Sequence, residues 1–182
     1  MQELSLNILD IAENSTRAGA TLVEIAVTED PDRDTLTIAV RDNGCGMDEK
    51  LLKSVRDPFT TTRTTRRVGL GVPLLEEAAQ ATGGHLSIRS APGKGTELEA
   101  VFGYSHIDRM PLGDLAGTIS ALIQCHEGVD FLYTHVFRGR TFRLDTRELR
   151  ETLGDVPLSA PDVVLWIREY IEENLKEIYT EG

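Results

Sequence analysis

"NILDIAENSTRAGA", residues 7–20, reads as a helix with two unlike stripes. Leu4, Ile8, Ile11 and Ser15 recur at steps of four, three and four, the spacing of a core-facing stripe. Asn7, Asp10, Asn14 and Arg17 recur at three, four and three, so amide, carboxylate, amide and guanidinium line up beside it. A merely solvated face would carry Glu and Lys at mixed positions.

Outward from that helix, 20–29 ("ATLVEIAVTE") and 34–42 ("DTLTIAVRD") alternate and are rich in Val, Ile and Thr, with turn chemistry between them. They predict a β-hairpin. Residues 47–55 read as a short helix, 56–69 as a loop without usable period, and 72–82 as a helix stopped by Gly83-Gly84. Strands are expected at 85–90 and 95–103 around the turn "APGK". The order up to Gly103 suggests a mixed, mostly antiparallel sheet with helices on one face, an α+β two-layer sandwich. "YSHIDRMP" reads as a boundary, dividing 1–103 from a small α+β region, 104–182. That region offers a helix at 112–127, a hairpin of 129–137 and 141–146 about the "RGR" tip, and helices at 145–153 and 160–179. Its apolar surface can pack alone or against the first unit. Trp166, Tyr170 and Ile171 read as core positions of the last helix, the alternative being a partner-facing stripe.

The 182 residues carry a net charge of −11, which argues against nucleic acid or an anionic membrane as partner. The first ten residues hold no basic segment, and no run approaches the roughly 18 apolar residues of a membrane span. Cys45 and Cys125 stand far apart without CxxC spacing, so neither zinc nor disulfides are supported and a reducing cytoplasm is expected. The four histidines are scattered and read as surface or core residues.

Three glycine clusters follow in order: "DNGCGM" (42–47), "VGLGV" (68–72) and "PGKGT" (92–96). "GLGVPL" lacks the third glycine of GxGxxG and follows an Arg-rich loop, so a dinucleotide fold is disfavoured. "GKGT" lacks the glycine four positions ahead of its GK pair, so it is no P-loop. With the opening helix, however, these pieces resemble the GHKL superfamily of DNA gyrase, the mismatch-repair protein MutL and the ATP-binding domains of histidine kinases. "DIAENSTRAGATLVEI" resembles its N box, "DNGCGM" the G1 box, "DPFTTTR" the F box of some histidine kinases, "GLGVPLLEEAAQATGGHL" the G2 box and "GKGTELEAVF" the G3 box.

The resemblance implies a Bergerat-type sandwich holding Mg-ATP beneath a lid. Asn14 would be the Mg²⁺ ligand, the other positions being phosphate oxygens and waters. Asp42 would accept from the adenine amine, Gly44 and Gly46 would let the backbone pass the base, and Thr96 would support it. Gly69 and Gly71 would turn backbone toward the phosphates. Arg56, Arg63, Arg66 and Arg67 crowd a local basic stretch that suits a triphosphate clamp. Asp10 stands where MutL-like members carry a catalytic Glu and histidine kinases Asn; pairing with Arg17 is its equally weighted structural alternative. Arg17 stands where histidine kinases carry Lys. The N box is thus a hybrid.

The N box begins at the first methionine, with no room before it for a phospho-acceptor helix, so autophosphorylation on His is not expected. That gap also points to a second copy completing the domain. The expected function is a Mg-ATP-binding regulatory protein acting as a stand-alone protein kinase or slow ATPase. The alternative is a non-hydrolysing ATP sensor that engages a partner protein through residues 104–182. The extreme N-terminus is also similar to small bacterial ATP-binding proteins that accompany hydrogenase and NADH-dehydrogenase-like subunits, which implies a redox-enzyme complex as partner.

Overall fold

The computed structural model describes residues 3–57 and 66–180, with 66–70 described by backbone alone. Helix α1 (Leu4–Arg17) precedes the hairpin β1 (Leu22–Asp30) and β2 (Thr35–Asp42). Then come α2 (Glu49–Arg56), α3 (Arg66–Ala81), β3 (His85–Ala91) and β4 (Gly95–Gly103). The remainder is α4 (Leu115–Cys125), β5 (Asp130–Phe137), β6 (Arg140–Asp145), α5 (Thr146–Leu153) and α6 (Pro161–Thr180).

The six strands form one sheet in the order β3-β4-β2-β1-β5-β6. Every pairing is antiparallel except β1 with β5. Strand alternation puts Val23, Ile25 and Val27 of β1, Leu36, Ile38 and Val40 of β2, and Phe131 and Tyr133 of β5 on one buried face. The other face carries Glu24, Thr37, Arg41, Glu97 and Arg89 at partly or fully exposed positions. This is the half-buried antiparallel pattern that the sequence alternation predicts. Helix α1 lays Leu4, Ile8, Ile11 and Ser15 into the inner layer, as the stripe requires.

The parallel β1–β5 pairing carries the sheet through residue 103, so β5 and β6 extend the same layer as the first hairpin. The segment read as a boundary caps α1: the N–H groups of Leu4 and Ser5 donate to the carbonyls of Pro111 and Leu112 at 2.9 and 2.8 Å. Those two are among the amides that a helix start leaves without an intrahelical partner. Glu3, in the N-cap position, makes no side-chain cap of its own.

Two readings need correction. The stretch 56–69 is not all loop, because α3 begins at Arg66, six residues ahead of the predicted start. Pro73 misleads here: it looks like a first-turn proline but sits inside the helix, where its missing N–H cannot bond the carbonyl of Gly69. Trp166 and Tyr170 are not core residues; they are 49% and 36% exposed, while Ile171 is fully buried.

Candidate nucleotide site

The C-terminal ends of α1 and β2, the loop after β2, α2 and the start of β4 enclose a cavity of about 240 Å³. Ile11, Val40, Met47, Leu51, Val55, Val72, Ile88 and Leu98 form apolar walls. Into them are set the polar groups Asn14, Ser15, Arg17, Asp42 and Thr96. Five of the predicted site residues, Asn14, Arg17, Asp42, Gly46 and Thr96, therefore line one space although they are spread over 83 positions (96 minus 14, counted inclusively).

Asp42 ends β2 with both carboxylate oxygens held. The Ser15 hydroxyl donates to Oδ2 at 2.6 Å and the Gly44 amide to Oδ1 at 2.9 Å. Each oxygen keeps a lone pair for a further donor. Ser15, in the core-facing stripe, is buried as its spacing predicts and also couples α1 to the carboxylate. Its hydroxyl inside an otherwise apolar stripe was the available signal. Ser90, also missed, shares a 2.8 Å hydrogen bond with the Thr96 hydroxyl and accepts from the Met47 amide at 2.8 Å. It fixes the hairpin tip against the glycine loop.

The glycines divide by cause. Gly46 has φ +72°, and a Cβ there would lie 2.0 Å from the Ala91 carbonyl oxygen. The requirement comes from the loop's contact with the β3–β4 hairpin, reinforced by the Gly93 amide donating to the Cys45 carbonyl at 2.7 Å. At Gly44 a Cβ would meet the Ala18 carbonyl oxygen at 2.9 Å. Gly71 is different: in α3, a Cβ would meet, among the described residues, the Asp10 and Ile11 side chains at 3.9 and 4.0 Å, ordinary contacts. The described residues leave that cradle open. Gly46→Ala is therefore expected to cost well over about 1 kcal/mol of stability. Gly71→Ala is expected to hold or raise it by up to about 1 kcal/mol while weakening ATP binding. Thermal unfolding beside nucleotide titration separates the two.

Asp10 lies exposed on α1, next to Gly71 across the α1–α3 contact. Partial burial raises its carboxyl above the usual carboxylate value, opposed by the Arg17 charge and reinforced by Glu13. Arg17 does not close an ion pair onto Asp10; its Nη1 donates to Asn14 Oδ1 at 3.0 Å. Of the predicted basic clamp, Arg56 is committed to Glu76 at 2.5 Å and to the Leu86 carbonyl at 2.9 Å. Gly69 falls in the first turns of α3. Arg63 and most of the F-box segment, with the side chains of Arg66 and Arg67, lie outside the described residues.

The donor set fits a nucleotide with its metal. A carboxylate and a hydroxyl stand among apolar walls at one part of the cavity, and an amide oxygen beside a guanidinium at another. Among the described residues no group of three or more His, Cys, Asp or Glu could hold a metal by itself. No helix among them is long and apolar enough to cross a membrane.

Residues 1–105 match the family model of the histidine kinase-, DNA gyrase B- and HSP90-like ATPases. A putative sensor protein of Shewanella frigidimarina is 31% identical over 109 residues, covering 59% of this chain and 17% of that protein. The sensor histidine kinase AtsR of Burkholderia thailandensis is 28% identical over 103 residues, 54% of this chain and 17% of that protein. The chain thus spans about a sixth of the length of these curated relatives. Among solved structures, the Aquifex aeolicus MutL ATPase domain complexed with ADP has the same fold, with a TM-score of 0.52 and 17% identity over 84% of this chain and 68% of that one.

Proposed function

Since the chain belongs to the histidine kinase-, DNA gyrase B- and HSP90-like ATPases and carries their ATP-binding domain in its histidine kinase form, we propose that it is a Mg-ATP-binding regulatory protein that passes the γ-phosphoryl group slowly to water or to a partner protein. The carrying observation is the convergence of Asn14, Arg17, Asp42 and Thr96 on one cavity. Asp42 would accept from the exocyclic amine of adenine, its oxygens already oriented by Ser15 and Gly44. Thr96, held by Ser90, would complete the polar edge, with the aliphatic walls covering the faces of the base. Asn14 Oδ1 would hold Mg²⁺, and Arg17 and the backbone at Gly69 and Gly71 would contact the phosphates. When bound, the ion would neutralise charge on the β- and γ-phosphate oxygens. Asp10, one helical turn from Asn14, would orient or deprotonate the acceptor hydroxyl; a raised pKa makes its carboxylate a better proton acceptor.

A second reading, an ATP sensor without turnover, is favoured by one contact. Glu13, neighbour of Asn14 on α1, meets His126 at the end of α4 at 2.9 Å. A shift of α1 on nucleotide binding would reach the C-terminal elements through it.

The test is the fate of γ-labelled ATP with Mg²⁺, with binding followed in parallel. Phosphate release by wild type that is lost in Asn14→Ala and Asp10→Asn supports water attack with Asp10 as base. Binding that Asn14→Ala abolishes, with no release, supports the sensor or a kinase that needs its partner. Absence of ATP binding by the wild type would overturn both.

A further inference from the structure

Helix α6 buries Val163, Ile167, Ile171 and Ile178 against the rest of the fold. An exposed face beside that one carries Asp162, Trp166, Glu169, Glu173 and Glu177 at steps of four, three, four and four, with Tyr170 one turn after Trp166. Leu165, 57% exposed, adjoins it. Trp166 and Tyr170 stack face to face, centroids 4.9 Å apart and planes 12° from parallel. Tyr170 packs on Phe142 at 5.7 Å, and Phe142 on the buried Tyr133 at 6.0 Å. An aromatic ladder thus rises from the core of the sheet and ends in solvent at Trp166.

Core demand does not explain the two outer rungs, because Ile167 and Ile171 already fill the inner face. A stacked Trp–Tyr pair anchored from below is a rigid apolar anchor that loses little side-chain freedom when covered. Charge selects what covers it. Asp162, Glu169, Glu173 and Glu177 make no hydrogen bond or ion pair through their carboxylates among the described residues. The nearby Arg168 is held by Asp114 at 3.1 Å and Glu172 at 3.7 Å, which leaves Lys176 as the cation of this helix with no carboxylate partner among the described residues. A second copy docking by the same face would set acid against acid, an arrangement that costs several kcal/mol.

We propose that the Leu165–Trp166–Tyr170 face of α6 docks a segment of a partner protein in which Lys or Arg alternates with large apolar side chains. This deepens the reading of the C-terminal elements as partner-facing and does not depend on nucleotide. The partner's apolar residues cover the aromatic pair while its cations meet the four carboxylates of the rim. Anchor and rim together resemble the centre and edge of protein interfaces, where aromatic residues dominate the binding energy.

Trp166 is the single tryptophan of the chain, so its emission reports on this face alone. The nucleotide-free full chain is titrated with an amphipathic Lys–Leu peptide and with its Glu–Leu counterpart. Saturable blue-shifted emission with the basic peptide only, weakened by salt and by about tenfold or more in Glu169→Lys/Glu173→Lys, supports the proposal. The control Glu77→Lys/Glu99→Lys, equal in charge change but on α3 and β4, should bind as wild type does. Equal response to both peptides, no response, or equal loss in the control overturns it, as does concentration-dependent dimerisation that shifts Trp166 emission. ATP binding is measured on the same samples, so failure of the nucleotide reading shows separately.

Discussion

Asp42→Ala should weaken ATP binding by about ten- to a hundredfold, the worth of one charge-assisted hydrogen bond of roughly 1.5–3 kcal/mol. The same change removes the acceptor of the buried Ser15 hydroxyl and of the Gly44 amide. An orphaned buried donor costs about 1–3 kcal/mol, and in a chain of this size each kcal/mol lowers the melting temperature by roughly 2–4 °C. Two variants separate recognition from stability. Asp42→Asn keeps one carbonyl oxygen and the side-chain volume, so it should melt closer to wild type. Yet it places an amide donor where one oxygen stood, and adenine affinity should still fall. Ser15→Ala should lower affinity by less, because Gly44 still holds Oδ1. Calorimetric titration beside thermal unfolding reads both effects. Full ATP affinity in a folded Asp42→Ala protein would remove Asp42 from base recognition.

The second large effect belongs to the core beneath the last helix. Glu29 and His135, at 4% and 0% exposure, meet at 2.6 Å between β1 and β5. Tyr133 meets the other imidazole nitrogen at 2.7 Å, and the Tyr179 hydroxyl donates to Glu29 at 2.5 Å. Every polar atom is satisfied when Tyr133 donates to Nδ1 and Nε2–H donates to Glu29. Glu29→Ala strips two partners at once and is expected to cost about 3–5 kcal/mol, read by chemical denaturation. Glu29→Gln, which keeps an acceptor, should cost less. Burial pushes the phenols of Tyr133 and Tyr179 above their ordinary value, with Glu29 adding to the rise. An acid whose folded pKa is raised is ionised first in the unfolded chain. The network's contribution is therefore intact below the ordinary phenol value of about 10 and declines as pH climbs past it. Tyr179→Phe should flatten that alkaline decline, leaving the part due to Tyr133. An unchanged alkaline limb would show that Tyr179 stays protonated equally well when unfolded.

Elements with a clear period were legible. The α1 stripe, the β1–β2 and β3–β4 hairpins and α6 follow from spacing and turn chemistry, because alternation and the 3.6-residue repeat are local properties of the chain. Elements without such a signal were not. The first turns of α3 were hidden by an Arg-rich stretch and by a proline that imitates a helix start. Trp166 and Tyr170 were misplaced because an aromatic at helical spacing reads the same whether its face meets core or solvent. The histidines looked unremarkable, and His135 became the centre of a buried network only because Glu29, 106 positions away, faces it across parallel strands.

By itself, the sequence determined the order of the boxes, the polar stripe of α1, the absence of other nucleotide motifs and the family to which they belong. These are matters of residue type and spacing, and they survive without coordinates. Only the tertiary structure decided that Ser15 and Gly44 hold Asp42, that Ala91 is what forbids a side chain at Gly46, and that Arg17 rests on Asn14. It also decided that β5 joins the sheet beside β1 and that Pro111 and Leu112 cap the first helix. All but the Arg17–Asn14 pair, one turn apart on α1, and the Gly44 amide on Asp42, two residues away, are contacts between segments distant in sequence. Their partners are chosen by which backbone groups and buried side chains would otherwise be left unpaired, and that choice is made by the whole fold.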